Sequence, residues 1–138
     1  MKRTTPLFSF ALIAITASSA HAQNKSPIEK RYSQTYNQCM SSGDAANGVT
    51  SGILDCNGAE TTVQDAKLNQ AYKMVMARLT PDRKVALRTS ERNWIKSRDQ
   101  ACTKRMGDEA GGTLGQVIYS GCILDETIKR TIYLEQYK

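Results

Sequence analysis

Apolar residues recur along this chain at intervals of three and four, the spacing that places side chains on one face of an α-helix. The pattern predicts four helices, over about residues 27–40, 50–79, 81–102 and 114–137. No stretch alternates apolar and polar residues in the manner of a β-strand. The sequence therefore predicts an all-α fold with a four-helix arrangement.

Proline, glycine and small polar residues mark the ends of these helices. Pro81 ends the second helix and begins the third, because its ring removes a backbone donor and disfavours helical backbone at Thr80. The glycine-rich stretches 41–48 and 106–115 are predicted to be loops. We therefore expect the second and third helices to form a hairpin at the proline.

Two pairs of glycines lead to further predictions about the backbone. Gly52 and Gly58 weaken the start of the second helix, since each costs about 1 kcal/mol relative to alanine in a helix interior. This section is expected to bend or fray. Gly111 and Gly112 lack the surrounding residues of a phosphate-binding loop, and we interpret them as turn residues with positive φ.

The first 22 residues have the three parts of a secretory signal peptide. Lys2 and Arg3 precede an apolar run over residues 6–16, and a small-x-small cleavage site ends at Ala22. The apolar run is shorter than the stretch of about 20 residues that spans a bilayer. We expect residues 23–138 to form a single domain that is periplasmic or secreted and is not inserted in a membrane.

Cleavage after Ala22 would leave a moderately basic chain without histidine. It removes Lys2, Arg3 and His21, which is the single histidine, so that 17 basic residues remain against 13 acidic ones, a formal net charge of +4. This charge is too small to indicate nucleic-acid binding. A chain without imidazole has no Ser-His or Cys-His mechanism. We expect no catalytic residue, no metal and no cofactor.

Pairs of carboxylates leave a cell-wall hydrolase as a weaker alternative. Glycosidases use two carboxyl groups, and the candidates here are Glu60 with Asp65, or Asp108 with Glu109. The second pair lies in a predicted exposed loop, where nothing would raise a carboxyl pKa for acid catalysis. We therefore expect the protein not to be an enzyme.

Four cysteines fall in the exported part of the chain, at Cys39, Cys56, Cys102 and Cys122. An even number in an oxidising compartment predicts two disulfides, and the absence of a C-x-x-C pair disfavours zinc. Pairing Cys39 with Cys56 and Cys102 with Cys122 would close two short loops, each contributing about 3 kcal/mol. The sequence leaves the other pairings open.

Polar residues cluster on the predicted hairpin. Asp65, Asn69 and Tyr72 share one side of the second helix, and Trp94 and Arg98 lie on the third. We expect a buried polar cluster in which Arg98 pairs with Asp65 while Asn69 bonds to backbone or tyrosine, fixing the register of the two helices. A ligand site is the alternative.

A row of basic residues follows another flank of the third helix. Lys84, Arg88, Arg92 and Lys96 stand four residues apart. Such a row is typical of a solvated helix face, and the alternative is a docking strip for an acidic partner. We refer to these four residues as the basic ridge.

The hairpin residues belong to a longer pattern. Asp65-x2-Leu68-Asn69-x2-Tyr72 is followed by Trp94-x3-Arg98-Asp99-x2-Cys102 and then by a Gly-Gly-Thr stretch. Together with the cysteines, the pattern resembles the LprI-like lysozyme-inhibitor family of small exported helical proteins. We interpret its motif residues as determinants of helix packing: Glu60, Asp65, Leu68, Asn69, Tyr72, Trp94, Arg98, Asp99, Gly112 and Arg130.

The resemblance implies an envelope protein that binds a protein partner, lysozyme, and blocks it by steric occlusion. Acidic side chains on exposed loops are the expected contacts, namely Asp44, Asp108 and Glu109. The alternative is an accessory or immunity protein of the envelope that recognises another partner through the basic ridge.

Overall fold

The computed structural model of the protein describes residues 25–138. This part of the chain forms five α-helices and two short 3-10 helices, and it contains no strand. The prediction of an all-α fold is confirmed. The predicted signal peptide lies outside the described residues.

The helices follow the predicted order, with the longest three closest to their predicted bounds. Pro81 begins the fourth helix immediately after the break at Leu79 and Thr80, as its fixed φ and missing donor favour. The α-helices are α1 Gln34–Met40, α2 Gly43–Ala46, α3 Thr50–Arg78, α4 Pro81–Met106 and α5 Thr113–Glu135, and the 3-10 helices are Glu29–Arg31 and Gly107–Glu109.

The first predicted helix is divided in two. Ser26 and Glu29 exchange hydrogen bonds as an N-terminal cap, but the backbone becomes extended at Tyr32 and Ser33. Ser33 then caps α1 by accepting a hydrogen bond from the Tyr36 N–H at 3.0 Å. The loop predicted over residues 41–48 contains one further helical turn, α2.

The core lies where α5 packs against both long helices. α5 buries a row of residues at helical spacing that includes Leu124, Ile128 and Leu134. α3 contributes Leu68 and Val75 among others, whereas α4 buries only two residues. α3 and α4 contact each other only slightly, so the hairpin is held together mainly through α5.

The two predicted disulfides are present. Cys39 of α1 is bonded to Cys56 of α3, with a Cα–Cα distance of 5.8 Å. Cys102 of α4 is bonded to Cys122 of α5, with a Cα–Cα distance of 5.5 Å. The pairing of cysteines that closes the two short loops is therefore confirmed.

The glycines behave differently from the sequence-based expectation. α3 is helical without interruption through Gly52 and Gly58. A Cβ on Gly52 would lie 2.7 Å from the Ala45 nitrogen, so glycine is required there for α2 to approach α3 closely.

The expectation of positive φ at Gly111 and Gly112 is wrong. In this loop the positive φ, 52°, falls on Gly107, which ends α4. Gly112 has extended backbone as the N-cap of α5. A Cβ there would meet the Glu109 oxygen at an ordinary 3.7 Å, and the structure gives no steric reason for glycine at this position.

Candidate functional site

A cleft of about 290 Å³ opens between α3 and α4. It exists because the backbones of α3 and α4 approach α5 more closely than they approach each other. Six of the ten motif residues line it. The lining residues are Asp65, Leu68, Asn69 and Tyr72 from α3, and Glu91, Trp94, Ile95 and Arg98 from α4.

Trp94 forms the fixed part of the cleft wall. The guanidinium carbons of Arg98 and Arg130 lie 5.1 Å and 5.5 Å from its ring centre, within the range of cation–π attraction. Arg130 comes from α5 and is paired with Glu91 at 2.6 Å, and these two side chains are only 11% and 13% exposed. Arg130 also donates to the Ser90 hydroxyl. This partly buried ion pair joins α5 to α4 directly beneath the tryptophan.

The polar rim of the cleft does not join α3 to α4. Asn69 donates to Asp65 at 3.1 Å, within the same helix, and both residues are exposed. Arg98 pairs with its neighbour Asp99 at 2.8 Å. The expected buried cluster with an Arg98–Asp65 pair is therefore wrong, because each group finds a partner on its own helix without crossing the cleft. Within the described residues, the Tyr72 hydroxyl has no hydrogen-bond partner.

Glu60 lies apart from the cleft and holds the segment that precedes α1 against α3. We refer to the hydrogen bonds that hold this segment as the anchor of the N-terminal segment. Its side chain is buried, with 2% exposure, and accepts hydrogen bonds from the Ser33 N–H and hydroxyl and from the Gln64 amide. Gln64 also donates to the Arg31 carbonyl at 2.8 Å. These bonds fix residues 31–33 on α3.

The buried position of Glu60 also bears on the hydrolase alternative. Asp65 lies five positions after Glu60, which turns their side chains about 140° apart around α3. The first carboxylate is buried and the second is exposed. The two carboxyl groups therefore do not form a shared acid–base site.

Two tyrosines complete the anchor of the N-terminal segment. The Tyr32 hydroxyl donates to Asp125 of α5 at 2.6 Å, and the Tyr36 hydroxyl donates to Asn57 of α3 at 2.9 Å. Burial and the hydrogen bond to Asp125 raise the pKa of Tyr32 well above its ordinary value. These pairs join residues far apart in the chain, and no spacing in the sequence indicates them.

The acidic loop residues lie at one end of the helices. α3 begins, α4 ends and α5 begins at this end, since the three helices run antiparallel in sequence. Asp44, Asp108 and Glu109 are all exposed, and none forms an ion pair within the described residues. We refer to these three residues and their loops as the acidic end.

An apolar groove of about 510 Å³ lies at the same end. Leu54 of α3, Met106 of α4 and Tyr119 of α5 contribute its apolar walls. The loop that carries Glu109 packs closely against α5. Gly115 permits this contact because it has no Cβ, which would overlap the Glu109 carbonyl oxygen. The acidic end therefore combines fixed backbone, exposed carboxylates and exposed apolar surface.

The basic ridge faces solvent along α4. Arg88, Arg92 and Lys96 are exposed, and Lys84 is partly buried. Within residues 25–138 these side chains form no ion pair with a carboxylate.

Residues 25–138 contain neither a metal-binding cluster nor a membrane-spanning helix. No group of three or more His, Cys, Asp or Glu side chains in residues 25–138 is placed to hold a metal ion. None of the helices in this range is long and apolar enough to cross a bilayer.

The fold and these sites define a small all-helical protein that is held together by two disulfides and carries an open motif-lined cleft. A model of the family described as "Lysozyme inhibitor LprI" matches residues 39–134, and the chain belongs to this family. The family is non-catalytic, and the disulfides fit an extracellular or periplasmic protein. The resemblance identified from the motif residues is confirmed.

One curated relative matches part of this chain. "Uncharacterized protein R02472" of Rhizobium meliloti (strain 1021) is 29% identical over 94 residues, which cover 59% of this chain and 68% of that protein. No solved structure matches the chain.

Proposed function

We propose that the protein is exported, binds a lysozyme and blocks its active site by steric occlusion, without chemistry of its own. Family membership supports lysozyme inhibition at the level of the family. The observation that carries the binding mode is the acidic end, where Asp44, Asp108 and Glu109 lie near an exposed apolar groove.

The charges of the two partners favour a local acidic contact. Lysozymes of the animal type are strongly basic, and this chain would carry a formal +4 after export. Two positively charged proteins repel each other at long range, so affinity must come from opposite charges that meet at the interface. The acidic end provides exposed carboxylates that are not neutralised within the described part of the chain.

The backbone of the acidic end supports this role. The close approaches at Gly52 and Gly115 fix both acidic loops against helices, and the two disulfides restrain the same end. Loops that are ordered before binding lose less conformational entropy on association. The groove between them provides apolar area that a partner can bury.

The first test is inhibition of lysis. The mature protein with its disulfides intact is titrated into lysozyme acting on cell-wall suspensions, and we expect lysis to slow with saturation. No inhibition at micromolar excess of the protein would remove the proposal.

The second test locates the contact. Replacing the three carboxylates together, as Asp44→Asn, Asp108→Asn and Glu109→Gln, should weaken inhibition about tenfold or more. Asp82→Asn is the matched control, since Asp82 is exposed at the opposite end of α4. Full inhibition by the triple variant would exclude the acidic end as the binding surface.

The basic ridge supports a second candidate function, an accessory or immunity protein of the envelope. Its exposed cations lack carboxylate partners within the described residues and suit an acidic partner. Reversing charge at Arg88, Arg92 and Lys96 should abolish capture of such a partner from envelope extracts. Retained capture of every partner by the reversed variant would eliminate this candidate.

Export is proposed from residues 1–22, and residues 23–138 are proposed to form a single domain. The full chain should then be recovered from the periplasm or medium with Gln23 as its first residue. Recovery of uncleaved protein from the cytoplasm alone would contradict export.

A further inference from the structure

We propose that the cleft between α3 and α4 binds a neutral saccharide of one or two pyranose rings. This inference concerns a surface separate from the acidic end and does not rest on lysozyme inhibition. It begins from the position of the motif residues, six of which line one cleft of about 290 Å³. This volume lies just below the usual range for small-molecule sites, about 300–1,000 Å³, and suits a small ligand.

Helix packing does not account for the polar residues at the rim of the cleft. Asp65 and Asn69 are exposed and bond to each other, so neither holds α3 against another helix. Tyr72 keeps its hydroxyl without a partner among the described residues. The helices are held instead by α5, through its buried row and the Arg130–Glu91 pair. Three polar groups are thus available to a ligand.

The charges around the cleft disfavour an ionic ligand. A cation that stacked on Trp94 would lie beside the guanidinium groups of Arg98 and Arg130, both about 5 Å from the ring centre. An anion would face Asp65 at the rim and would have to displace Asp99 or Glu91 from its arginine. A neutral ligand is not repelled by the arginines and does not have to displace a carboxylate from its ion pair.

The remaining groups match a sugar ring. Asp65 offers an acceptor, Asn69 both a donor and an acceptor, and Tyr72 a hydroxyl that can do either. Leu68, Ile95 and Trp94 supply apolar walls. A pyranose carries hydroxyl groups around its edge and C–H groups on its faces, so it can satisfy the polar rim while covering apolar surface.

Trp94 provides a direct assay, because it is the single tryptophan of the chain. Its emission is followed while the disulfide-intact protein is titrated separately with a glucose disaccharide and with an N-acetylglucosamine disaccharide. We expect a saturable change with at least one of them, and the comparison identifies whether the acetamido group is recognised. No saturable change with either sugar up to its solubility limit would overturn the proposal.

Ionic probes test the charge argument in the same assay. Inorganic phosphate and N-acetyl-lysine amide represent an anion and a basic side chain. We expect neither to alter Trp94 emission saturably. A saturable response to one of these probes without a response to sugar would replace the saccharide with an ionic ligand.

Substitutions then assign the response to the rim. Asp65→Ala should raise the Kd about tenfold or more by removing a hydrogen bond to a charged acceptor, and Tyr72→Phe should raise it severalfold. Asp55→Ala is the control, since Asp55 is an exposed carboxylate on the same helix outside the cleft. Equal affinity for all four proteins, each shown to be folded by circular dichroism, would refute binding at this site.

Discussion

The substitution Gly115→Ala tests whether the acidic end is as closely packed as described. A Cβ on Gly115 would overlap the Glu109 carbonyl oxygen, and it would lie 2.9 Å from the carbonyl carbon and 3.4 Å from the Ala110 Cα. All three are backbone atoms, so no side-chain rotation relieves the overlap. Either the turn at Gly107–Glu109 or the start of α5 must move.

The magnitude follows from two opposing effects. Overpacking of this kind costs about 1–3 kcal/mol, while alanine gains about 1 kcal/mol over glycine in a helix. We expect Gly115→Ala to lower the free energy of unfolding by about 1 kcal/mol. Gly58→Ala is the matched control, because Gly58 is exposed inside α3 and a Cβ added there would meet no atom within 4 Å, so this change should stabilise by about 0.5–1 kcal/mol.

Urea unfolding of the two variants, with disulfides intact, measures the difference between the same chemical change at two sites. If Gly115→Ala stabilises the protein as much as Gly58→Ala does, the close contact is absent and the reasoning fails. The displaced turn should also weaken lysozyme inhibition in Gly115→Ala but not in Gly58→Ala. Equal inhibition by both variants would show that the position of Glu109 is unimportant for binding.

Three further predictions concern stability. Glu60→Ala should lower the free energy of unfolding by about 2–4 kcal/mol in urea, because it removes the acceptor of the buried Gln64 amide and of two partly buried Ser33 donors. A loss below about 1 kcal/mol would contradict the role of Glu60 in holding residues 31–33 on α3. The pKa of Tyr32 is raised in the folded protein, so its contribution to folding stability is complete below the unfolded pKa of about 10 and is lost as pH rises above that value. The stability advantage of wild type over Tyr32→Phe in urea unfolding should therefore shrink in alkali. A difference that stays constant with pH would refute this. Replacing Cys102 and Cys122 by serine should cost about 3 kcal/mol in urea unfolding, and unchanged stability would show that the bond contributes nothing.

The helices and the disulfides could be predicted from the sequence because helical spacing is a local pattern and cysteines can be counted. Apolar residues at helical spacing located α3, α4 and α5, and Pro81 located the break between the first two. Four cysteines with two short separations favoured the observed pairing. These features depend on neighbours in the chain, whose spacing can be read directly.

The features that were missed depend on contacts between distant residues or on an exception to a local rule. Tyr32 and Asp125 are 93 residues apart, and neither residue type indicates the other. Adjacent residues on a helix do not normally face each other, so the bond from Arg98 to Asp99 was not expected. Gly52 did carry a usable signal, because a glycine that costs about 1 kcal/mol in a helix can mark a close backbone approach.

The motif residues separate into two groups by a physical criterion. A residue that serves packing is buried or bonded to another element, and Glu60 and Arg130 meet this condition through Ser33 and Glu91. Asp65 and Asn69 do not, because they are exposed and bonded only within α3. Helix packing therefore accounts for the first group and leaves the second unexplained. Exposed substitutions usually change stability by less than about 0.5 kcal/mol. The proposed saccharide site gives Asp65 a role that packing does not.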